Sequence, residues 1–273
     1  MSNLNRNFKK KSDKPFFIIM GVISITYVVL ILSMILADLN FTTWNEILSS
    51  LKSREIQYAI KLSLFSCTIT TILSLLVAVP IGYLLSHYNF PGKKVMDTIL
   101  DIPIILPPLV IGLSLLILFQ TPPGRFIERF ISVTYAIPSI ILAQFMVASA
   151  FAIRAMNVSF AQINPRQEQV ALTLGCSRYQ AFRYVVLPEV RTGILTAASL
   201  AWARALGEFG PILIFSGATR MRTEVLPTTV FLEMSVGNIE AAVAVSLLMI
   251  AAAFAVLLLI RMLGNDQNIL KTI

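Results

Sequence analysis

The sequence predicts an all-α integral membrane protein of about six transmembrane helices. Three observations carry that expectation: 56% of the 273 residues are hydrophobic, only 13% are charged, and the apolar residues gather into long runs. Soluble domains carry roughly 25% charged residues. A soluble chain of this size must still cover itself with polar surface, so a larger core does not explain the shortfall. Lipid is the outer solvent that such a composition calls for.

A hydrocarbon core of ~30 Å needs about 20 apolar residues to cross it. The first run, Phe16–Ala37, contains no charged residue and follows a basic tail over residues 1–15. A cleaved signal peptide has the same basic start, but its apolar region runs to only ~7–15 residues, so this segment reads as an uncleaved anchor. Further spans are expected at Ala59–Ser86, Ile99–Phe119, Tyr135–Ile153, Gly193–Ser216 and Ile239–Ile260. Lys61 in the second can snorkel to the interface. Pro103, Pro107 and Pro108 predict that the third is kinked or locally unwound.

Lysine and arginine in short flanks set orientation. With the N-terminus inside, fourteen basic residues fall on the inner side: Arg6, Lys9, Lys10, Lys11, Lys14, Lys93, Lys94, Arg154, Arg166, Arg178, Arg183, Arg191, Arg261 and Lys271. Seven fall outside, Lys52, Arg54, Lys61, Arg125, Arg129, Arg220 and Arg222, while Arg204 lies within a span. This bias places both termini, including the tail 264–273, in the cytoplasm of a multi-pass cell-membrane protein. It also accounts for the net charge of +8 without nucleic acid as a partner. Cys67, in an apolar run, and Cys176, in a polar loop, offer neither a pair nor metal spacing. His87 is the sole histidine, which excludes His-rich metal or relay sites.

The connection 154–192 is the one extended polar stretch on the inner side. Asn164 can cap a helix, Pro165 suits its first position, and Gln167 can complete a capping box. Gly175 supplies a left-handed residue to end that helix. Ser177 and Gln180 repeat the capping pattern, starting a second helix that Pro188 closes. Val170, Ala171 and Leu174 form an apolar stripe on the first helix; Phe182, Val185 and Val186 form one on the second. A loop so structured should dock on something, either its own bundle or a partner.

Glu168-Gln169-Val170-Ala171, three residues, Gly175, and then Val186-Leu187-Pro188 resemble the EAA loop of permeases in binding-protein-dependent ABC importers, departing from it at Gln169-Val170. Thr121-Pro122-Pro123-Gly124-Arg125, Leu142-Ala143-Gln144-Phe145, Arg204-Ala205-Leu206-Gly207-Glu208-Phe209-Gly210, Leu226-Pro227 and Gly237-Asn238-Ile239-Glu240-Ala241-Ala242 resemble the molybdate, tungstate and sulfate branch. The resemblance implies a type I (MetI-like) transmembrane domain over residues 58–263. It implies a coupling helix seated in an ATPase subunit, with Glu168, Ala171, Gly175, Leu187 and Pro188 as the coupling residues. It further implies a cytoplasmic ATPase dimer that carries ATP–Mg, an extracytoplasmic substrate-binding protein, and a homodimer of this chain. The implied cargo is a tetrahedral oxyanion, molybdate or tungstate first and sulfate next. Glu168 is then available to bond backbone or a basic group of the partner, although an acid in a first helical turn also gains ~0.3–1 kcal/mol from the helix dipole alone.

Arg204 and Glu208, four residues apart, share a helical face within the fifth span. A charge in lipid costs at least ~2.5–3.5 kcal/mol on insertion scales, and an opposite neighbour offsets part of it. Two readings stay open, a structural pair and a gate bordering the substrate path together with Gly207, Pro107 and Pro108. Gly207, Gly210 and Pro211 predict a loosened or closely packed helix there. Asp101, at the inner start of the third span, is near enough to water to be unremarkable. Ala197, Ala201 and Ala205 form a small-residue ridge suited to a homodimer contact.

Two other classes fit less well. An intramembrane enzyme needs paired acids, a Ser–His set or a metal cluster at depth, and the sequence shows none. A secondary transporter or channel has no use for the docking loop. No Gly-x4-Gly-Lys-Ser/Thr stretch occurs, so nucleotide chemistry belongs to a separate polypeptide.

Overall fold

In a computed structural model, residues 14–265 are described, and among them every regular element is helical. The basic tail before Lys14 and the residues after Asn265, Lys271 among them, lie outside the described residues. The chain runs α1 (Lys14–Phe41), α2 (Trp44–Lys52), α3 (Arg54–His87), α4 (Lys93–Ile105), α5 (Pro108–Gln120), α6 (Pro122–Glu128) and α7 (Ile137–Ala161). It continues through α8 (Pro165–Thr173), α9 (Arg178–Ala181), a π-helical turn over Phe182–Val186, and α10 (Leu187–Glu189). The last elements are α11 (Arg191–Leu206), α12 (Gly210–Phe215), α13 (Leu226–Ser235) and α14 (Ile239–Asn265).

Among the described residues four helices are long and apolar enough to cross a membrane, Phe16–Phe41, Arg54–His87, Ile137–Ala161 and Ile239–Ile260, or up to five spans if a bent pair is counted as one. α1 is apolar around its whole circumference and buries none of its span, as expected of an anchor surrounded by lipid. α3 and α7 are the heart of the bundle. Ala78, Cys67, Ala148, Ala152, Met156 and Phe160 from these two helices interlock with Ala197, Ala201 and Ala205 of α11 in one buried cluster. Small side chains on all three helices let the backbones approach closely, which is how membrane helices gain packing energy where lipid is as apolar as leucine.

The two interruptions expected at the prolines and glycines are present as full breaks, and one expectation, the alanine ridge, needs correction. The expected third span, Ile99–Phe119, is two helices, α4 and α5, meeting at 110° across a break. Pro107 forces Leu106 into an extended conformation (φ −65°, ψ 139°), Pro107 is itself extended, and α5 restarts with Pro108 at its first turn. The expected fifth span, Gly193–Ser216, stops at Leu206 and resumes at Gly210. Pro211 has no N–H with which to reach the carbonyl of Gly207, which weakens the helix at this point, and α12 restarts with Pro211 in its first turn. The alanine ridge is not left for a second copy: Ala197, Ala201 and Ala205 are all fully buried inside this chain.

The fourth span is longer than the expected Tyr135–Ile153, ending at Ala161. Arg154 does not end it, because the guanidinium is neutralised laterally. Its Nη1 bonds Asp97 at 2.7 Å, and its Nε and Nη2 both reach Asp101. Asp101 is therefore half of a fork that pins α4 to α7, which its position near water did not suggest. At the opposite end of the bundle Arg220 bonds Glu55 and Glu233, joining α3, α13 and the connection before it.

Candidate functional site

Two places on this frame carry the residues singled out by the sequence. The first is where the two broken helices meet. α12 lies against α5 so tightly that a Cβ on Gly112 would stand 2.7 Å from Cα of Pro211, and one on Gly210 would stand 3.0 Å from Cβ of Pro108. Neither glycine can be replaced without moving backbone. The Pro107–Pro108 break and the Gly207–Pro211 break, legible separately in the sequence, are thus one junction. Unwound backbone at membrane depth is tolerated only against protein or a water-filled path.

Arg204 and Glu208 flank that junction. Their closest approach is 3.4 Å, with the side chain of Glu208 only 2% exposed and that of Arg204 38% exposed. The contact attracts charge but is not aligned as a hydrogen bond: Nε of Arg204 and Oε2 of Glu208 have no hydrogen-bond partner among the described residues. Arg204 also lies over the Phe151 ring, 5.5 Å from its centroid. Phe151 and Arg154, one turn apart on α7, line a cavity of about 560 Å³ with Ser159, Gln162, Thr192 and Thr196.

Gln144, quoted within a motif but given no role, holds the end of α11. It is buried, donates through Nε2 to the carbonyl of Ala205 at 3.1 Å, and accepts from Thr70 at 3.1 Å. The Ala205 carbonyl lies in the last turn of a helix that breaks two residues later, where the backbone donor it finds is the Glu208 N–H at 3.3 Å. No local pattern pairs a glutamine with a carbonyl 61 residues away.

The second place is the loop after α7. Asn164 accepts from the Arg166 N–H at 3.1 Å, but the reciprocal bond expected from Gln167 is not formed. Gly175 adopts φ +90°, with Cys176 N–H bonding the Ala171 carbonyl and Gly175 N–H bonding that of Leu172, a Schellman closure. Ser177 and Gln180 make the full reciprocal cap. Pro188 does not end the second helix as expected. It sits in the first turn of α10, and the π turn before it shifts Leu187 N–H onto the Phe182 carbonyl five residues back.

The predicted stripes divide. Phe182, Val185 and Val186 face the bundle, with Val186 fully buried. On α8 only Ala171 is buried, while Val170 and Leu174 are 56% and 80% exposed. Tyr179 and Tyr184 are exposed as well, as are Arg166, Arg178 and Arg183, the last donating to the Tyr179 hydroxyl at 3.0 Å. Gly175 and Pro188 are exposed, and Leu187 is half-buried. Glu168 does not project outward: its Oε1 accepts from the Tyr83 hydroxyl at 2.6 Å, and its Oε2 lies 3.9 Å from Nε2 of His87. Tyr83 goes unnoticed in the sequence, where His87 reads only as a lone histidine, and the Tyr83–Glu168 pairing spans 85 positions.

A polytopic helical bundle with two broken helices packed against each other and a folded loop exposing apolar and basic side chains is an arrangement that suits a membrane permease subunit. Residues 78–267 match the family described as binding-protein-dependent transport system inner membrane component. The chain belongs to that family. The sulfate transport system permease protein CysT of Salmonella typhimurium is 30% identical over 237 residues, 86% of each chain. The molybdate/tungstate transport system permease protein WtpB of Thermococcus kodakarensis is 36% identical over 156 residues, 57% of this chain and 59% of that one. A chain in the crystal structure of a bacterial alginate ABC transporter, in complex with its alginate pentasaccharide-bound periplasmic protein, superposes with a TM-score of 0.75. It covers 93% of this chain and 95% of that one at 14% identity, which establishes the shared MetI-like fold.

Proposed function

We propose that this permease imports a tetrahedral oxyanion, molybdate, tungstate or sulfate, driven by a separate ATPase that grips the loop after α7. The observation that carries the coupling is the exposure of Val170 and Leu174 on a helix capped at both ends. Apolar side chains set on a rigid, basic-edged helix outside the lipid are what a partner cleft would cover. Glu168, Ala171, Gly175, Leu187 and Pro188 form the frame of that helix pair. The basic-residue bias supports an orientation with the loop and both termini in the cytoplasm.

Cargo rests on the sulfate and molybdate/tungstate relatives, and the half-exposed Arg204 guanidinium suits an anion. Arg204, Glu208, Gly207, Pro107 and Pro108 form the gate at the junction of the broken helices. ATP-driven closure of the ATPases moves the two loops of a permease dimer, and the junction changes between outward and inward states. A binding protein on the far side delivers the anion, and ATP–Mg stays on the ATPase.

The test is reconstitution in proteoliposomes with the ATPase and binding protein, measuring ATP-dependent uptake of the three oxyanions. A cysteine at Leu174 is expected to crosslink to the ATPase. Uptake that proceeds without nucleotide, with no ATPase captured, would instead make this a self-sufficient carrier or channel.

A further inference from the structure

Tyr83 lies in the last turns of α3, at the end nearest the loop, and its ring gathers several separate pieces of chain. Phe160 of α7 meets it edge-on at 5.6 Å, Phe182 of the π turn lies at 4.8 Å, and His87 stacks at 4.6 Å. Its hydroxyl donates to Glu168 on α8. His87 is itself steadied by the Ser86 hydroxyl, 2.7 Å from Nδ1. The Glu168 and His87 side chains are only 12% and 10% exposed. A carboxylate turned away from water needs strong donors, and a hydroxyl at this distance is one.

This bond matters because α8 has few other side chains to hold it. Of its nine residues only Ala171 is buried, with Glu168 and Leu172 half-buried, and Glu168 supplies the one side-chain hydrogen bond to α3 among the described residues. α3, in contrast, is anchored along its length, burying residues from Ile56 to Leu85. A helix pushed from outside transmits the push only through contacts that do not slide, and a short, directional hydrogen bond resists sliding where a lone alanine does not.

We propose that Tyr83 is a positioning residue for coupling: through its bond to Glu168 it ties α8 to the end of α3, so that both move as one body. The inference rests on the loop being the ATPase contact. Glu168 then acts inward, as the tether of the loop, and the outward contact falls to Val170, Leu174 and their basic neighbours.

The experiment uses the full complex in proteoliposomes and reads oxyanion imported per ATP hydrolysed. Tyr83→Phe keeps the ring and removes the hydroxyl. The ATPase should remain bound and active while the ratio falls about tenfold, the equivalent of one hydrogen bond to a charged group. An unchanged ratio overturns the proposal. If Tyr83→Phe does not assemble, Glu168 decides the matter. Glu168→Gln keeps an acceptor for Tyr83 and should retain a ratio several-fold above that of Glu168→Leu, which should fall about tenfold. A Gln variant as poor as the Leu variant would mean that Glu168 acts by its charge on the partner, and Tyr83 has no part. Failure of the native permease to retain any ATPase sinks the coupling function itself, and the tether with it. Failure confined to the variants' expected ratios sinks the tether alone.

Discussion

Removing Arg204 should harm this protein more than removing the charge of Glu208, although the two form one pair. At 3.4 Å and an effective dielectric of ~20, opposite unit charges attract by about 5 kcal/mol. Water reaches the guanidinium, whose side chain is 38% exposed, and screening removes roughly half of that. Glu208, at 2% exposed, has no such recourse. Arg204→Ala strands a carboxylate in the bundle and should cost about 2–3 kcal/mol, somewhat under the penalty for breaking a fully buried pair. Glu208→Gln leaves a cation that still has water and the Phe151 ring beside it, and should cost about 1 kcal/mol or less. The double variant should behave like Glu208→Gln alone, because the stranded charge is gone. Equilibrium unfolding by SDS in mixed micelles measures all three. A Glu208→Gln loss equal to or above that of Arg204→Ala would refute the reasoning. The exchanged pair, Arg204→Glu with Glu208→Arg, pushes a guanidinium into the buried site and should transport poorly. Full uptake by that exchange would leave a structural pair and remove the proposed gate.

Gln144→Leu removes two bonds but leaves the Ala205 carbonyl with the Glu208 N–H and the Thr70 hydroxyl with the Ile141 carbonyl, each at 3.3 Å; a loss of about 1–3 kcal/mol is expected in the same unfolding assay. Gly112→Ala would force apart the broken-helix junction and should abolish uptake, while Gly21→Ala on α1, with open space around it, should leave uptake unchanged in the same vesicles. At Glu128, burial pushes the carboxyl up, but bonds donated by the Thr134 hydroxyl and by the N–H groups of Thr134 and Val133 outweigh it and hold the group below the usual carboxylate range. Its stabilisation is therefore complete above that range and is lost as pH falls through the depressed value. Glu128→Gln should flatten the acid limb of the unfolding profile and leave stability near neutral pH lowered.

What the sequence made legible was local. Proline acts on its own neighbours, so Pro107, Pro108 and Pro211 announced two broken helices, and Gly175 announced a left-handed turn. Capping at Ser177 and Gln180 needs only residues three apart. What stayed hidden depends on partners far along the chain. The alanine ridge reads the same whether its neighbour is another helix of the same chain or a second copy. Arg154 reads as the end of a span until Asp97 and Asp101, more than fifty positions earlier, are brought beside it. Pro188 reads as a stop, yet a widened turn of five residues absorbs its missing donor.

The same distinction bears on how a loop can work a junction that it does not touch. α8 meets the bundle at the end of α3, and α3 carries Thr70, which bonds Gln144, which in turn bonds the last turn of α11 before the Gly207–Pro211 break. Each link is a hydrogen bond between buried or half-buried groups, whose loss would leave a polar group without water to replace it. Gln144 stands on α7 between the two, so if the loop drives α3 along α7 as proposed, the Gln144 side chain must follow Thr70 or lose it, and its bond to the α11 carbonyl changes with it; the break beyond is where the backbone has freedom to respond. Because Gly112 and Gly210 leave no slack between α5 and α12, that response must carry α5 with it. The two broken helices then move as a unit, and a disulfide fixing α5 to α12 should leave uptake intact, whereas one fixing α3 to α7 should stop it. Uptake that survives the second crosslink would show that the loop drives the junction by some route other than α3.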